Sequence, residues 1–498
     1  MPRCIGFNRS VVVSESESVG NCHSRSYACW IHGEERVGEE RYPLIDPSTE
    51  EVFAEVTAAG EPLVDSAMNS ARESLKSWQS APASRRAGIL HSWATVIREA
   101  REELALLVCR EVGKPLPHAR DEVLNAASLL DYFAEESLRL TGRIPLMGYE
   151  REQVLIIRQP LGVAAAITPF NYPLSTLACK VAPALAVGCT VVAKPDEHTP
   201  VSTLRVAQLA LQAGMPPGVF NVLTGPGTPT GRLIVEHPTP RVISFTGSTE
   251  VGKEIQALSA RWVRKVILEL GGHCPAIVCD GSPWRDILPQ LVSQSLKNSG
   301  QYCYRTSRIY VAENIYDEFL GEFIGLSKQL RLGPPLEPGV DLGPLNNAEI
   351  LSKVRTQVDA AVQEGAAVEC GGSSVAPFRH GFYYSPTVLT GVKPEMSIMH
   401  EEIFGPVVII SPFDEVQKAV DEANATRYGL AAYLFTRDLA DALEWANRLE
   451  VGSVWINRIH QAYPEAPFGG MKESGLGREK SPFGIEEYTE LKTIYLCY

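Results

Sequence analysis

The chain has 498 residues, and roughly 150 residues per domain predicts about three domains, or one large α/β unit with an additional excursion. Hydrophobic residues make up 45% and charged residues 21% of the sequence, which excludes a disordered, collagen-like or coiled-coil protein. The 46 basic and 59 acidic residues give a net charge of -13. This surplus repels phosphate backbones and anionic lipid, so nucleic acid is not expected as a partner.

The cysteine content indicates a reducing environment. Eleven cysteines, an odd number without CxxC pairs or Cys/His ligand spacing, fit neither a secreted disulfide framework nor a zinc site.

The longest uncharged apolar stretch, from Gln159 to Cys179, contains three prolines and predicts no membrane span. Residues 1–26 are polar and Ser-rich, and we interpret them as an N-terminal extension. We expect a cytoplasmic protein with no bound metal and no membrane partner.

The first half of the chain changes from a β-like to a helical and then to an alternating pattern. Short β-like runs and turn signals occupy residues 27–56, and apolar residues at three and four spacing predict consecutive amphipathic helices over 61–140. Beyond residue 160, apolar strands alternate with helices, including those predicted over 174–186 and 202–212. This alternation predicts a parallel sheet covered by helices.

A second α/β series begins near Ser293. Its predicted strands are SRIYVAE, VVIISPF, AAYLFT and GSVWIN, and its predicted helices span residues 316–330, 349–364, 416–424 and 439–447. Two α/β lobes in series are therefore expected. The extended apolar segments REQVLIIRQP and YTELKTIYLCY have no obvious partner nearby in the sequence, and they are candidates to pair across a subunit boundary.

Cys303 is a candidate nucleophile. It follows the small-residue turn Ser299–Gly300 and precedes a strong strand, so it is predicted at a sheet edge that faces a cleft. Cysteine is also among the residue types that are most often simply buried. Its position alone leaves both interpretations open.

Glu269, in VILELGGHCPAIV, is a lone acid within an apolar run. Burying it in the charged form costs several kcal/mol unless it has a partner or a task. A buried carboxylate with a raised pKa is a good general base near neutral pH. The alternative is a strand-end glutamate that caps the Gly271–Gly272 turn.

Two Gly-rich turns each lie between a predicted strand and a predicted helix. They are GPGTPTG at Gly225–Gly231 and FTGSTEVG at Phe245–Gly252, with a helix predicted from Thr249. Free N–H groups at a helix start favour phosphate, and two such turns in successive βα units indicate a dinucleotide site, although neither is GxGxxG. Lys194 to Glu197 end a strand where an acid would accept from ribose hydroxyls and repel a 2′-phosphate. Taken alone, this segment is more often a solvated turn.

Seven strings occur in a fixed order along the chain: PFNYP, KPDEHTP, FTGSTEVG, LELGG, GQYC, EEIFGPV and PFGGMKESGLGRE. In this order and at these separations they resemble the aldehyde dehydrogenase superfamily, in its NAD(P)-dependent, hydrolytic type. The resemblance extends from about Tyr27 to the C-terminus. It implies an α/β fold with a Rossmann-like NAD-binding domain, a second α/β catalytic domain and a small β oligomerisation arm. The implied boundaries are 27–140 and 160–272 for the first domain, 273–482 for the second, and 141–159 with 483–498 for the arm.

The resemblance implies NAD-dependent oxidation of an aldehyde to the carboxylic acid, with NADP as a less expected cofactor. Cys303 matches the family's nucleophile, which forms a thiohemiacetal and then a thioester. Asn171 matches the amide that binds the oxyanion together with the Cys303 N–H, and Glu269 matches the base that activates water. Lys180 and Glu490 match polar residues near this relay.

The same resemblance implies a cofactor set and a substrate set. The cofactor set consists of Thr168, Pro169, Lys194, Glu197, Gly227, Gly231, Phe245, Gly247, Ser248, Val251, Glu402 and Phe404. The last two match the pair that positions the nicotinamide ribose and ring in the family. The substrate set consists of Tyr172, Tyr302, Tyr304, Arg305, His460 and Phe468. A homodimer or homotetramer with a small-molecule aldehyde as its partner is expected.

Two departures from the family pattern stand out. His273 follows LELGG where a lysine is frequent, and we have no interpretation of it. Tyr302, Tyr304 and Arg305 occupy positions that are small in many relatives. If this segment is extended, Arg305 points to the same side as Cys303 and would hold a short anionic aldehyde such as a semialdehyde. The alternative is a structural Arg305 that pairs with an acid behind the catalytic loop.

Two other functions remain open. A CoA-acylating semialdehyde dehydrogenase would share the fold, but such relatives tend to lack the glutamate base, which is present here as Glu269. A catalytically silent member with a structural or binding role would have lost its cysteine, which is present as Cys303. Both residues therefore favour the hydrolytic enzyme.

Overall fold

The computed structural model describes residues 25–146, 151–373, 378–460 and 463–498. Most of the predicted N-terminal extension, and residues 147–150 of the predicted arm, lie outside the described residues. The strands of the described part are β1 (Arg25–Tyr27), β2 (Cys29–Ile31), β3 (Glu34–Arg36), β4 (Glu40–Ile45), β5 (Val52–Ala58), β6 (Glu152–Pro160), β7 (Val163–Ile167), β8 (Thr190–Lys194), β9 (Phe220–Val222), β10 (Val242–Thr246), β11 (Lys265–Glu269), β12 (Cys274–Val278), β13 (Thr306–Ala312), β14 (Ala367–Cys370), β15 (Thr387–Thr390), β16 (Val407–Phe413), β17 (Tyr428–Gly429), β18 (Ala431–Phe435), β19 (Ser453–Ile456), β20 (Met471–Lys472), β21 (Gly475–Leu476) and β22 (Thr489–Cys497).

The α-helices agree closely with those predicted from apolar spacing. The predicted helix over 416–424 is observed with the same bounds, and the one predicted over 174–186 extends by one residue at each end. The α-helices of the described part are α1 (Glu61–Ser80), α2 (Ala83–Glu99), α3 (Arg101–Val112), α4 (Leu116–Ser137), α5 (Pro173–Val187), α6 (Pro200–Gln212), α7 (Arg232–Glu236), α8 (Thr249–Ala260), α9 (Trp284–Leu296), α10 (Glu313–Gln329), α11 (Ala348–Glu364), α12 (Val416–Asn424), α13 (Leu439–Arg448) and α14 (Ser481–Glu486).

The first lobe is an eight-stranded sheet with the strand order β21-β11-β10-β7-β8-β9-β2-β3. The strands from β11 to β9 are parallel, and β7, β8 and β10 are buried along their whole length, as expected for strands covered by helices on both faces. The larger core, on one face, includes Trp93, Phe133 and Leu185. The smaller core, on the other face, includes Met68 and Ile255.

The chain changes direction across this sheet between β7 and β10. From β7 it proceeds to β8 and β9 on one side, and it then returns to β10 and β11 on the other. In open α/β sheets, ligands bind outside the carboxyl ends of the strands at such a switch point. Thr168 follows β7, Ser248 follows β10 and Glu269 ends β11, so the sequence motifs converge on this edge.

The second lobe is a seven-stranded sheet with the order β14-β15-β16-β13-β12-β18-β19, in which every pair except β14–β15 is parallel. Residues 270–273 connect the carboxyl end of β11 in the first sheet with the amino end of β12 in the second. Cys303 lies just before β13, the neighbour of β12, so it sits where the two sheets meet. A Cβ at Gly272 would lie 2.4 Å from the Cys303 carbonyl oxygen, so only glycine permits this close approach.

The two extended segments form a separate two-stranded sheet, which we call the arm sheet. Strands β6 and β22 pair antiparallel along their whole length, from Glu152 opposite Cys497 to Pro160 opposite Thr489. The two segments, although distant in the sequence, therefore pair with each other within one chain, and their pairing across a subunit boundary stays a prediction.

Among the described residues, no helix combines the length and the apolar character needed to cross a bilayer. Within the same ranges, no cluster of three or more His, Cys, Asp and Glu side chains could hold a metal ion. The described cysteines are all free thiols.

Candidate active site

A cavity of about 800 Å³ opens where the carboxyl edge of the first sheet faces the amino edge of the second. Helix α4, the start of α5 and the loop before β13 contribute to its wall. Most residues that the sequence predicts for catalysis and substrate contact line this cavity, together with part of the cofactor set: Asn171, Tyr172, Glu269, Tyr302, Cys303, Tyr304, His460, Phe468, Pro169, Gly247, Ser248, Glu402 and Phe404.

Cys303 and Glu269 interact inside the cavity. Burial raises the pKa of the Cys303 thiol well above its usual range, and the neighbouring Glu269 carboxyl raises it further. Burial, followed by the charge of Glu479, raises the pKa of Glu269 to about 8. Oε1 of Glu269 is buried and has no hydrogen-bond partner among the described residues. This oxygen is therefore available to accept a proton from the thiol or from water.

Asn171 has a defined amide orientation just before α5. Its Nδ2 donates to the Gln301 carbonyl at 2.9 Å, and its Oδ1 accepts from the Tyr172 N–H at 3.1 Å. These two bonds distinguish the oxygen from the nitrogen of the amide. The second N–H of Nδ2 has no partner within the described ranges, and Asn171 lines the same cavity as Cys303.

A buried ion pair adjoins Glu269, but its acid is not the one predicted. Lys180 on α5 donates to Thr246 Oγ1 at 2.7 Å and forms an ion pair with Glu479. Glu479 lines the cavity and raises the pKa of Glu269, so it, and not Glu490, lies near the predicted base. Glu490 lies exposed on β22 in the arm sheet, and its assignment to the relay is wrong. The signal for the correct residue was its place at the end of the PFGGMKESGLGRE string.

A second buried ion pair, which the sequence analysis did not single out, supports Asn171. Lys114, from the EVGKP string, pairs with Glu122 of α4, and neither side chain is accessible to solvent. Lys114 Nζ also donates to the Asn171 carbonyl oxygen at 2.8 Å and lies 3.5 Å from the centre of the Tyr172 ring. Glu122 Oε1 accepts from the Leu174 N–H at 2.9 Å, in the first turn of α5. The pair therefore fixes the backbone that carries Asn171.

Arg305 does not line the cavity, and the prediction that it contacts substrate is wrong. Residues 302–305 form a turn instead of an extended segment, so the alternation of side chains does not apply. The guanidinium is buried and donates to the carbonyl groups of Ser295, Ile403 and Val407. The structural alternative is correct in placing Arg305 behind the loop. The hydrogen-bond partners of Arg305, however, are carbonyl oxygens and not an acid.

The residues predicted to position the nicotinamide, Glu402 and Phe404, lie beside residues 297–305 between α9 and β13, which we call the cysteine loop. Glu402 Oε1 accepts from the Gly272 N–H at 3.0 Å, so this carboxylate, and not Glu269, caps the Gly–Gly turn. Phe404 packs edge-on against Phe170, with ring centres 5.8 Å apart.

The carboxyl edge of the first sheet offers groups that fit a dinucleotide. Thr168 Oγ1, just after β7, is buried and has no hydrogen-bond partner within the described ranges. Ser248 caps α8 by accepting from the Val251 N–H at 3.4 Å, and helix geometry leaves other first-turn N–H groups for a phosphate. A Cβ at Gly247 would lie 2.4 Å from the Phe245 ring, so the tight turn requires glycine.

Lys194 and Glu197 lie farther along the same edge, at the end of β8. Lys194 Nζ is 3.8 Å from the Glu197 carboxylate and donates to the Pro195 carbonyl at 3.1 Å. A Cβ at Gly231 would lie 3.6 Å from Lys194 Cδ, so the second Gly-rich turn approaches this lysine, while a Cβ at Gly227 would meet open space. The two Gly-rich turns thus flank one continuous sheet edge, as the two halves of a dinucleotide require.

One part of the cavity wall carries two lysine side chains that the sequence analysis did not single out. We call His118, Lys297, His460 and Lys480 the lysine–histidine wall. Neither lysine forms an ion pair with any residue that the structure describes. Burial, with nearby cations, lowers the pKa of His118 to about 4 and that of His460 to about 3, so both imidazoles are neutral near pH 7. Both ring nitrogens of His460 are buried without a described hydrogen-bond partner.

His273 has a structural position that the sequence did not reveal. Its Nδ1 bonds to Ser307 Oγ at 2.8 Å, and its carbonyl oxygen accepts from Arg308 Nη2 at 2.8 Å. The residue therefore ties the loop before β12 to β13, its neighbour in the second sheet.

The fold and the site together define the class: a two-lobed α/β oxidoreductase with a dinucleotide-type sheet edge and a buried cysteine–glutamate pair between its lobes. The chain belongs to the aldehyde dehydrogenase family, whose model matches residues 30–494. This confirms the family, fold class and enzyme class predicted from the seven strings. Enzymes of this family use NAD or NADP as the electron acceptor.

Individual relatives are similar along almost their whole length. The mitochondrial succinate-semialdehyde dehydrogenase of rice is 41% identical over 455 residues, covering 91% of this chain and 85% of the relative. The NADP(+) succinate-semialdehyde dehydrogenase of Escherichia coli K12 is 39% identical over 460 residues, covering 92% and 94%. Betaine aldehyde dehydrogenase of Staphylococcus aureus, solved with NAD+, superposes with a TM-score of 0.92 at 34% identity and covers 95% of each chain.

Proposed function

We propose that this aldehyde dehydrogenase oxidises a short anionic aldehyde to the carboxylic acid by a hydrolytic route, with NAD as its preferred acceptor. The observation that carries the proposal is the shared cavity. It holds Cys303, Asn171 and the Glu269 carboxyl. Its wall also carries Lys297 and Lys480, whose ammonium groups have no ion-pair partner in the part of the chain that the structure describes. Two of the relatives above are named for succinate semialdehyde, a short aldehyde that bears a carboxylate.

Cys303 supplies the nucleophile. Burial and Glu269 raise the pKa of the thiol, so the thiol is protonated before the reaction and needs a base. It first passes its proton to Oε1 of Glu269, which has no described hydrogen-bond partner. The thiolate then forms a C–S bond to the aldehyde carbon, and the resulting oxyanion accepts hydrogen bonds from Asn171 Nδ2 and the Cys303 N–H. Loss of hydride converts the thiohemiacetal to a thioester, and a nicotinamide held beside Glu402 and Phe404 would supply the hydride acceptor.

Glu269 then serves as the base for hydrolysis. Glu269 first releases the proton that it took from the thiol to solvent, and its carboxylate then takes a proton from water as the water oxygen attacks the thioester carbon. The C–S bond breaks, Cys303 leaves as the thiolate, and the carboxylic acid is released. Lys180 and Glu479, which form an ion pair, act on the pKa of Glu269 in opposite directions: the charge of Glu479 raises it and that of Lys180 lowers it. A CoA-acylating enzyme has no use for such a base, so its presence supports the hydrolytic route.

The lysine–histidine wall supports the anionic substrate class now that Arg305 is excluded from the cavity. Its positive charge comes from Lys297 and Lys480, since His118 and His460 are neutral near pH 7. Unpaired ammonium groups bind carboxylates by charge-assisted hydrogen bonds, and the unpartnered ring nitrogens of His460 add neutral donor and acceptor sites.

Glu197 supports the preference for NAD. Its carboxylate, 3.8 Å from Lys194 Nζ, lies where it would accept from free ribose hydroxyls and repel a 2′-phosphate. Replacing this acid in Glu197→Gln should lower the ratio of kcat/KM for NAD to that for NADP. Equal kcat/KM for both cofactors in the wild type would contradict the preference, and the E. coli relative named for NADP(+) makes this comparison essential.

The substrate class is tested by NADH formation with succinic semialdehyde and with an uncharged aldehyde of matched length. We expect the anion to be favoured, and Lys297→Met to reduce this preference by about tenfold, the loss of one charge-assisted hydrogen bond. The matched control is Lys418→Met, since Lys418 is exposed and paired with Asp414. No preference in the wild type would contradict the anionic class. No NAD(P)H formation with any aldehyde would contradict the function itself, and a strict requirement for CoA would contradict the hydrolytic route.

We also propose a homodimer or homotetramer, in a reducing cytoplasm, with the domain boundaries given above. Strand β22 exposes the apolar side chains of Leu491 and Tyr495, and Tyr498, directly after the strand, is exposed as well; these side chains support a partner on the arm sheet. Light scattering coupled to size-exclusion chromatography tests the assembly, and a monomeric mass would contradict it.

A further inference from the structure

Arg305 is a buried cation without an acidic partner. It is 3% exposed, and among the described residues no carboxylate forms an ion pair with it. Its guanidinium makes four hydrogen bonds to three backbone carbonyl groups: Nη1 to Ser295 at 3.0 Å, Nε and Nη2 to Ile403 at 3.2 and 2.9 Å, and Nη2 to Val407 at 2.7 Å. Burying a charge without a described carboxylate partner is costly, so the hydrogen bonds of the guanidinium need an explanation.

The three carbonyl groups belong to the segments on both sides of the active site. Ser295 lies in the last turn of α9, which leads into the cysteine loop. Ile403 lies between Glu402 and Phe404, the pair proposed to contact the nicotinamide ribose and ring. Val407 begins β16. One guanidinium therefore joins the cysteine loop to residues 402–407.

Backbone contacts make this junction rigid. A Cβ at Gly300, which has a φ of +72°, would lie 2.0 Å from the Gly405 carbonyl oxygen, so the two loops touch through their main chains. Glu402 is fixed from the other side by the Gly272 N–H at 3.0 Å. With these contacts in place, a shift of the Ile403 carbonyl has to move the side chains on either side of it.

We infer that Arg305 is a positioning residue that holds Glu402 and Phe404 in register with the Cys303 loop, so that the nicotinamide and the reacting carbon meet at a fixed separation. The inference rests on the proposed cofactor role of Glu402 and Phe404. It concerns the hydride step alone, because the contacts of Arg305 join the cysteine loop to the cofactor-side loop and leave Asn171 and Glu269 untouched.

The hydride step can be separated from the chemistry of the cysteine. An activated ester such as 4-nitrophenyl acetate acylates Cys303 directly: the S–C bond forms, 4-nitrophenolate leaves, and water hydrolyses the thioester with Glu269 as the base. This reaction uses the nucleophile and the base without hydride transfer. The ratio of aldehyde oxidation to ester hydrolysis therefore reports the alignment that we assign to Arg305.

The test compares Arg305→Lys with Arg308→Lys. Arg308 is equally buried, but it donates to the carbonyl groups of His273 and Ala423, outside residues 402–407. We expect Arg305→Lys to lower kcat for aldehyde oxidation by about ten- to a hundredfold and to leave ester hydrolysis within about twofold of the wild type. The primary isotope effect with a C1-deuterated aldehyde should increase, because the hydride step becomes rate-limiting.

Three results would overturn the inference: an equal loss of both activities, an equal loss in Arg308→Lys, or an unchanged kcat for oxidation. If Arg305→Lys does not yield folded protein, Arg305→Gln, which keeps two N–H donors, carries the same measurements. Failure of the proposed function is distinguishable, because a wild type that hydrolyses the ester but oxidises no aldehyde would refute the function irrespective of any variant.

Discussion

The catalytic centre and the lysine–histidine wall share one cavity but differ in the ion pairing and the solvent exposure of their lysines. In the centre, Lys180 is bound by Glu479 and Thr246, and every contact is shielded from solvent. On the wall, Lys297 and Lys480 are partly exposed and have no described ion-pair partner. The difference indicates a division of labour: the centre is complete without substrate, whereas the wall lacks the negative charge that a substrate would bring.

The largest effect is expected from removing the nucleophile, which the centre needs for any aldehyde. Cys303→Ala should lower aldehyde oxidation by at least about a thousandfold with both anionic and neutral aldehydes. Cofactor affinity, measured by fluorescence titration, should stay within about twofold, since the thiol forms the covalent bond but does not hold the nucleotide. Cys109→Ala, in the helical core, is the control and should retain activity. Substantial turnover by purified Cys303→Ala would refute the assignment.

Glu269→Gln should block hydrolysis of the thioester more than its formation. The amide keeps the shape but cannot accept a proton from water, so a burst of NADH followed by turnover about a hundredfold slower is expected in stopped-flow traces. In the wild type the carboxylate form is the active one, so the hydrolysis rate should rise with pH through about 8, the pKa of this buried carboxyl, and level off above it. An unchanged steady-state rate in Glu269→Gln would place the base elsewhere.

A neighbouring substitution sharpens this pH profile. The charge of Glu479 raises the pKa of Glu269, so Glu479→Gln should move the inflection to lower pH. An inflection that stays in place, or moves to higher pH, would contradict the coupling between the two carboxyl groups.

Lys114→Met tests whether the buried scaffold beneath the centre acts through Asn171. Removing one member of a buried ion pair leaves the other charged and unpaired, and should lower the free energy of unfolding by about 3–5 kcal/mol. Loss of the bond to the Asn171 carbonyl should also lower kcat by about tenfold, since the oxyanion donor is misplaced. Urea unfolding and steady-state kinetics measure the two effects.

The double variant Lys114→Met with Glu122→Gln separates stability from catalysis. The glutamine is uncharged and still offers Oε1 to the Leu174 N–H, so most of the unfolding free energy should return. The kcat should not return, because the Asn171 carbonyl still lacks its donor. Lys253→Met, which breaks an exposed pair with Glu473, is the control and should cost less than about 1 kcal/mol. Recovery of kcat in the double variant would contradict the positioning role.

The sequence predicted the centre better than its surroundings, for physical reasons. Cys303, Glu269 and Asn171 lie within local motifs whose residues are fixed by the turn or strand end on which they sit. Glu490 and Glu479 are both glutamates near the C-terminus, and only long-range packing brings Glu479, and not Glu490, to Lys180.

Arg305 and the arm strands show two further limits of the sequence. The alternation rule assumes an extended chain, and the turn at residues 302–305 reverses the direction it predicts for Arg305. No local sequence pattern identifies the partner of strand β6 or β22, because the pairing joins segments that are distant in the sequence. The charges of the wall were missed for a related reason: Lys297 and Lys480 come from separate segments, and their shared cavity exists only in the fold.

The smallest expected effect is that of Lys480, whose Nζ lies 5.2 Å from the Phe468 ring and partly in solvent. Lys480→Met should raise KM for an anionic aldehyde by about two- to fivefold, the size of a partly exposed ion pair, and should leave KM for the matched neutral aldehyde unchanged. Because exposed charges are screened, the difference between variant and wild type should shrink as ionic strength rises from about 0.05 M to about 0.5 M, and more steeply than the effect of Glu269→Gln in the buried centre. Equal changes in KM for the two aldehydes would mean that Lys480 shapes the cavity without attracting charge. A salt-independent difference would mean that its ammonium is as enclosed as the groups of the catalytic centre, and the contrast between centre and wall would fail.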